Sequence, residues 1–74
     1  MPRLPRLTGR EVVQVFESLG WEKVRQSGSH IILVREGHPA TLSVPDHKEV
    51  AIGTLRSLIR GADLTVTQFV EAAE

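Results

Sequence analysis

The feature that most constrains the fold is a short apolar run, Ile31–Val34, that lies between two groups of turn-forming residues. Three of its side chains are β-branched, which at this length favours a buried strand over a helix. Ser27-Gly28-Ser29 precedes the run and Glu36-Gly37-His38-Pro39 follows it. Such clusters of glycine, serine and proline predict tight turns. We therefore expect a central strand over His30–Arg35, with a hairpin connection on each side.

Helix-end signals predict three helices around these strands. Capping-box pairs, in which a threonine is followed three residues later by Glu or Gln, mark helix starts at Thr8 and at Thr65. Gly20 is the expected end of the first helix. Another helix, with apolar residues at helical spacing, is expected to begin at Gly53-Thr54 and end at Gly61. One helix thus precedes the strands, and one long and one short helix follow them.

Two further strands complete the expected sheet. Trp21–Gln26 is expected to be a strand in which Val24 faces the core while Lys23 and Arg25 point away. Ala40–Val44 alternates apolar and polar residues and is expected to return as the third strand. The resulting order, α-β-β-β-α with a short C-terminal helix, predicts an α+β fold like that of a double-stranded-RNA-binding domain. In that fold a three-stranded antiparallel sheet carries both main helices on one face.

The length and composition limit the remaining possibilities. The 74 residues are expected to form a single domain, 1–74, in which residues 1–7 are an extended arm because Pro2 and Pro5 prevent a helix. Since the chain has no cysteine, and its histidines lack zinc-ligand spacing, we expect no metal and no cofactor. No apolar run is long enough for a membrane, so we expect a soluble, cytoplasmic protein. The zero net charge argues against a high-affinity nucleic-acid binder.

The central strand is apolar on both of its faces. Alternation places Ile31 and Leu33 on one face, and His30, Ile32 and Val34 on the other. With both helices on one side of the sheet, one of these sets is left without a cover. Either it forms an interface with a partner protein, or arginine side chains or the N-terminal arm cover it.

His30 is the leading candidate for a catalytic side chain. It lies where a flexible turn becomes a rigid strand, so a sheet would hold it while a ligand reaches it from the turn, as a general acid or base requires. The alternative is a histidine that only completes the turn. His38 lies beside Pro39 in a turn and is expected to be solvated. His47 is either a second proton-transfer group or, as we expect, a structural residue of its connection.

Further residues are candidates for contacts with a nucleic acid. They comprise the flexible turn, three basic side chains and a hydroxyl at a helix start, where free N–H groups can meet a phosphate: Gly28, Ser29, Lys23, Arg25, Lys48 and Thr54. The alternatives are that the basic residues only solubilise the surface and that Thr54 marks an ordinary helix start.

Three segments carry a resemblance to a known family. They are Gly28-Ser29-His30, then Val44-Pro45-Asp46-His47, then Lys48-Glu49 leading to Gly53-Thr54-Leu55-Arg56-Ser57-Leu58. In this order and spacing, the chain resembles the HicA family of toxin endoribonucleases from bacterial and archaeal toxin–antitoxin pairs. The resemblance covers nearly all of residues 7–73.

The resemblance implies metal-independent cleavage of mRNA, with His30 as the catalytic histidine and inhibition of translation and growth as the result. It also implies a HicB-type antitoxin as a protein partner. We expect this partner to cover the face that carries Ile32 and Val34, and so to hide His30, with Lys23 and Arg25 assisting its association. Two rival functions remain: an RNA-binding module of the same fold without catalysis, and a protein-interaction domain without RNA activity.

Overall fold

The computed structural model describes residues 3–74, in which the chain forms three helices and three strands. They are α1 (Gly9–Ser18), β1 (Glu22–Ser27), β2 (His30–Val34), β3 (Thr41–Pro45), α2 (Ile52–Gly61) and α3 (Val66–Ala73). The expected α-β-β-β-α order with a short C-terminal helix is confirmed, and each predicted strand boundary lies within one residue of the observed one. Of the predicted N-terminal arm, Met1 and Pro2 lie outside the described residues, and residues 3–7 contain neither helix nor strand.

The three strands form one antiparallel sheet in the order β1-β2-β3, so β2 is the central strand. Helix α1 packs against β1 and β3, helix α2 packs against β3, and α3 contacts both of these helices. The helices α1 and α2 therefore form one layer over one face of the sheet, as the sequence predicts. In the part of the chain that the structure describes, none of the helices has the length and apolar composition needed to cross a bilayer.

Both capping boxes predicted from sequence are present. The Thr8 hydroxyl accepts a hydrogen bond from the backbone N–H of Glu11, whose carboxylate accepts one from the Thr8 N–H. Thr65 and Gln68 repeat the same reciprocal pair at the start of α3. These bonds satisfy N–H groups that a helix start otherwise leaves without partners.

The core lies between the helix layer and one face of the sheet. Ile31 and Leu33 of β2 point into it and are 3% and 0% exposed. They meet a cluster of apolar residues whose largest fully buried members are Phe16 and Phe69, with ring centroids 5.2 Å apart. The core thus includes residues of α1, α3 and the central strand. This packing on the helix side of the sheet fixes the position of β2.

The opposite face of β2 carries His30, Ile32 and Val34, as the alternation predicts. His30 is exposed. Ile32 and Val34 are half-buried, although they lie on the central strand of the sheet. We call the side of the sheet that carries these three residues the open face.

The prediction that Val24 faces the core is wrong, since this side chain is 49% exposed. The pairing register explains the error. Lys23 pairs with Leu33, which puts Lys23 on the helix side and Val24 on the open face. The register then shifts between Lys23 and Arg25, so that Arg25 pairs with Ile32 and also lies on the open face. Lys23 and Arg25 therefore occupy opposite faces of the sheet.

The start of α1 is docked closely on the end of β3 and on the connection that follows it. A Cβ atom at Gly9 would overlap the carbonyl oxygen of Pro45, so only glycine allows this approach. The Gly9 N–H donates to the carbonyl of His47 over 2.9 Å, and the Val50 N–H donates to the carbonyl of Leu7 over 2.8 Å. These contacts hold the connection after β3 against residues 7–9, at the start of α1.

Candidate active site around His30

His30 is the first residue of β2, and both neighbouring strands hold its backbone. Its Cα pairs with Ser27 of β1 and with Pro45 of β3. Its side chain is exposed on the open face. A restrained backbone with an accessible imidazole is the arrangement that a general acid or base requires.

The turn before His30 consists of Gly28 and Ser29. Gly28 has φ +59°, and a Cβ atom added to it would meet no atom within 4 Å. Glycine is therefore favoured here by its backbone conformation, while the space around the turn stays open to a ligand. Both turn carbonyls have partners: Ser29 accepts from the Asp46 N–H over 2.6 Å, and Gly28 accepts from Nε2 of Gln26 over 3.4 Å.

Asp46 follows the cross-strand partner of His30 and connects this turn with α1. Its Oδ2 accepts a hydrogen bond from Gln26 Nε2 over 3.2 Å, and its Oδ1 lies 3.5 Å from Nε of Arg10. The Asp46 side chain is 21% exposed, whereas that of Arg10 is 81% exposed. We call Arg10, Gln26 and Asp46 the turn clamp. The sequence reasoning missed it, because its members lie far apart in the chain and no spacing connects them.

The basic residues expected to contact RNA do not form one group. Arg25 lies on the open face, in the strand next to His30 and opposite Ile32. Lys23 instead lines a groove of about 360 Å³ between α1 and β1, on the helix side of the sheet. Lys48 is exposed in the connection that follows β3. Of these three cations, Arg25 is the one that shares a sheet face with the candidate histidine.

Thr54 is exposed in the first turn of α2, where Ala51 occupies the N-cap position without a side-chain hydrogen bond. The helix start predicted at Gly53-Thr54 is therefore observed one residue earlier, at Ile52. Among residues 3–74, no side-chain hydrogen bond connects Thr54 with the turn before His30.

The prediction that His38 is solvated is wrong. Its side chain is 16% exposed, and its ring lies against Trp21 with centroids 5.1 Å apart. Nδ1 accepts from the Ala40 N–H over 3.1 Å, and Nε2 lies 2.8 Å from Oδ2 of Asp63. A neutral ring with its proton on Nε2 satisfies both contacts. His38 is thus a packed structural residue at the opposite end of the sheet from His30.

The imidazole of His47 is exposed, and its backbone carbonyl makes the contact that anchors the connection to Gly9. The hydrogen bond that anchors the connection to Gly9 therefore does not require the imidazole ring of His47. Across residues 3–74, no group of three or more His, Asp or Glu side chains is arranged to hold a metal ion.

One comparison with known proteins gives a match. A family model described as "HicA toxin of bacterial toxin-antitoxin" matches residues 9–64, which is more than half of the 74-residue chain. The matched range begins at the first residue of α1 and includes the turn, His30 and the whole turn clamp. No curated protein and no solved structure matches the chain.

Proposed function

Since the chain belongs to the HicA toxin family of bacterial toxin–antitoxin systems, we propose that it is a metal-independent endoribonuclease that cleaves mRNA with His30 as the catalytic histidine. The observation that carries this proposal is the placement of His30. Its backbone is paired on both sides, while its imidazole is exposed on the open face. Cleavage of mRNA would inhibit translation and growth, which is the expected action of the toxin.

The chemistry requires little from the protein beyond proton transfer. The 2′-hydroxyl of RNA is the nucleophile, and the imidazole removes its proton as the 2′-oxygen bonds to phosphorus. The bond from phosphorus to the 5′-oxygen then breaks, which leaves a 2′,3′-cyclic phosphate, and the 5′-oxygen takes up a proton from the solvent. Proton transfer by a positioned side chain typically contributes a factor of about 10²–10⁴ in rate. An enzyme with one such histidine is slow, which is sufficient for a toxin.

The substrate contacts that we propose follow the accessible surface around His30. Gly28 and Ser29 leave room for the RNA backbone beside the turn, and Arg25 offers a guanidinium to a phosphate on the same face. Lys48 and Thr54, both exposed, are proposed as contacts further along the strand of RNA. Lys23 lies on the helix side, and the open face is reached without it.

The family implies a cognate antitoxin, and we propose that a HicB-type antitoxin covers the open face. Val24 is 49% exposed there, and Ile32 and Val34 lie beside it with their apolar surfaces only half-buried. Apolar strand surface of this kind is typical of a protein interface. Because His30 lies on the same face, such a partner would block access of RNA to the imidazole directly.

An RNA cleavage assay tests the proposed activity. Purified protein is incubated with mRNA in the presence of a chelator, and His30→Ala and His47→Ala are compared with the parent. We expect the parent to cleave with chelator present, and His30→Ala to lose at least about 100-fold in rate while its unfolding transition is unchanged. His47→Ala is the matched control, because its ring is also exposed but its anchoring carbonyl remains.

Each other outcome assigns a different function. Retention of RNA without cleavage would identify a binding module, and neither binding nor cleavage would leave a protein-interaction domain. If folded His30→Ala cut RNA at the parent's rate, His30 would not be the catalytic group. Equal losses in both histidine variants would make His47 a second proton-transfer group.

A further inference from the structure

We propose that Asp46 is a positioning residue, which holds the Gly28-Ser29 turn so that His30 keeps the orientation needed for RNA cleavage. The catalytic part of this inference rests on the proposed function of His30. The inference assigns a role to the turn clamp, which lies outside the reacting groups themselves.

The backbone of Asp46 extends the sheet beyond its last residue pair. His30 and Pro45 are the final pair of the β2–β3 ladder. One residue further, the Asp46 N–H donates to the Ser29 carbonyl over 2.6 Å. The residue that precedes His30 is therefore hydrogen-bonded to the residue directly after β3, although it belongs to a turn.

The carboxylate of Asp46 acts on the other turn residue through Gln26. Nε2 of Gln26 lies 3.2 Å from Asp46 Oδ2 and 3.4 Å from the Gly28 carbonyl. An amide nitrogen carries two N–H groups, so it can donate to both acceptors at once. Gln26 itself is exposed, and the bond to Asp46 keeps its amide from rotating away. Both carbonyls of the turn thus depend on Asp46, one directly and one through Gln26.

The third member of the turn clamp contributes less. Arg10 Nε lies 3.5 Å from Asp46 Oδ1, and the Arg10 side chain is 81% exposed. Water screens such a pair, which typically contributes little to stability. The role of Asp46 therefore depends on an oxygen that accepts a hydrogen bond from Gln26, rather than on its charge. An asparagine side chain keeps such an oxygen.

His30 needs this support because its own ring is not held. Among residues 3–74, its exposed imidazole has no hydrogen bond to another side chain, so the protein positions this ring only through the backbone to which it is attached. That backbone continues from a turn whose first residue is a glycine at φ +59° with open space around it. A displacement of about 1 Å in a catalytic group can reduce the rate about 100-fold.

Steady-state kinetics of Asp46→Ala and Asp46→Asn test the proposal. We expect Asp46→Ala to lower kcat about 10- to 100-fold while KM changes less than about threefold, because the group is present but misplaced. We expect Asp46→Asn to stay within about threefold of the parent and to keep its pH–rate profile. Asp63→Ala is the matched control. It removes the hydrogen bond between Asp63 and His38, which lies at the opposite end of the sheet.

Amide hydrogen exchange by NMR gives a readout that does not depend on catalysis. We expect the amide at position 46, whose N–H donates to the Ser29 carbonyl, to exchange faster in Asp46→Ala and at the parent's rate in Asp46→Asn. If the parent protein does not cleave RNA, the proposed function fails while this measurement still tests the clamp.

Two results would overturn the positioning role. If Asp46→Asn were as inactive as Asp46→Ala while the amide at position 46 stayed protected, the carboxylate would act through its charge or by proton transfer and not by positioning the turn. If Asp46→Ala kept the parent's kcat and the parent's exchange rates, the turn would not depend on the Asp46 side chain.

Discussion

At the scale of single residues, surroundings separate three histidines that share the same chemistry. His30 has an exposed ring on a backbone paired from both sides, and His47 has an exposed ring on a connection held by backbone contacts. The ring of His38 instead packs on Trp21, and both of its nitrogens have partners. A side chain with all its hydrogen bonds made inside the protein is suited to structure, and one with a free ring is suited to chemistry.

Replacing His38 with alanine is expected to destabilise the protein by about 1–3 kcal/mol, because the substitution removes packing on Trp21 and leaves the Ala40 N–H without its partner. Urea unfolding followed by Trp21 fluorescence measures this loss. His47→Ala is the control and should change the free energy of unfolding by less than about 0.5 kcal/mol. A His38→Ala protein as stable as the parent would show that these contacts contribute nothing.

At the scale of elements, the close packing of α1 against the end of β3 shapes the end of the sheet that carries His30. The helix begins so close to Pro45 that its first residue has no room for a Cβ atom. The same helix start holds the connection through His47 and carries Arg10 of the turn clamp. A substitution that moves α1 away from β3 is therefore expected to disturb both the core and the turn before His30.

Two glycine substitutions separate this close approach from ordinary helix propensity. Gly9→Ala forces α1 away from Pro45 and is expected to cost about 1–3 kcal/mol of stability, as overpacking does. Gly53→Ala, in the first turn of α2, meets no atom within 4 Å and is expected to stabilise by about 0.4–1 kcal/mol. Thermal or urea unfolding of both variants checks the difference in sign. If both variants changed the free energy of unfolding equally, α1 could shift away from Pro45 without loss of stability.

At the scale of the whole molecule, the fold has a helix layer on one side of the sheet and the open face on the other. Val24, Ile32 and Val34 give this face apolar surface, and Arg25 gives it a positive charge beside the candidate histidine. A partner that binds there buries the apolar side chains and covers His30 in one step. Regulation by an antitoxin would then need no conformational change in the toxin.

Substitutions on the two faces of the sheet test this mode of inhibition. Ile32→Asp is expected to raise the dissociation rate of the antitoxin complex at least about tenfold, because it leaves a charge buried in the interface. Arg25→Glu is expected to slow association several-fold, an electrostatic effect that salt weakens. Lys23→Glu is the matched control on the helix side and should slow the association with the antitoxin less. Binding kinetics by surface plasmon resonance measure all three.

The complex itself offers a direct check of the same mechanism. We expect His30 to lose most of its solvent access when the antitoxin is bound. A complex with His30 still open to solvent would exclude inhibition by occlusion and leave the family assignment unchanged.

Features that depend on neighbours within a few residues can be predicted from the local sequence. Thr8 with Glu11 and Thr65 with Gln68 predict two helix starts, because a capping box is complete within one turn. The turns at Gly28 and Gly37 bound the central strand, and alternation places Ile31 and Leu33 together on one of its faces, opposite His30, Ile32 and Val34. The position of His30 at the junction of turn and strand follows from the same local signals.

Features that depend on how distant segments meet became visible only in the folded chain. The bulge between Lys23 and Arg25 placed Val24 on the open face and separated Lys23 from Arg25, because the turn sets the pairing next to it but not where an extra residue is inserted further along the strand. Likewise, His38 became a half-buried partner of Trp21 through a contact across the fold. The turn clamp around Asp46 joins α1, β1 and the end of β3. Such contacts arise from packing in three dimensions, which no periodicity along the chain encodes.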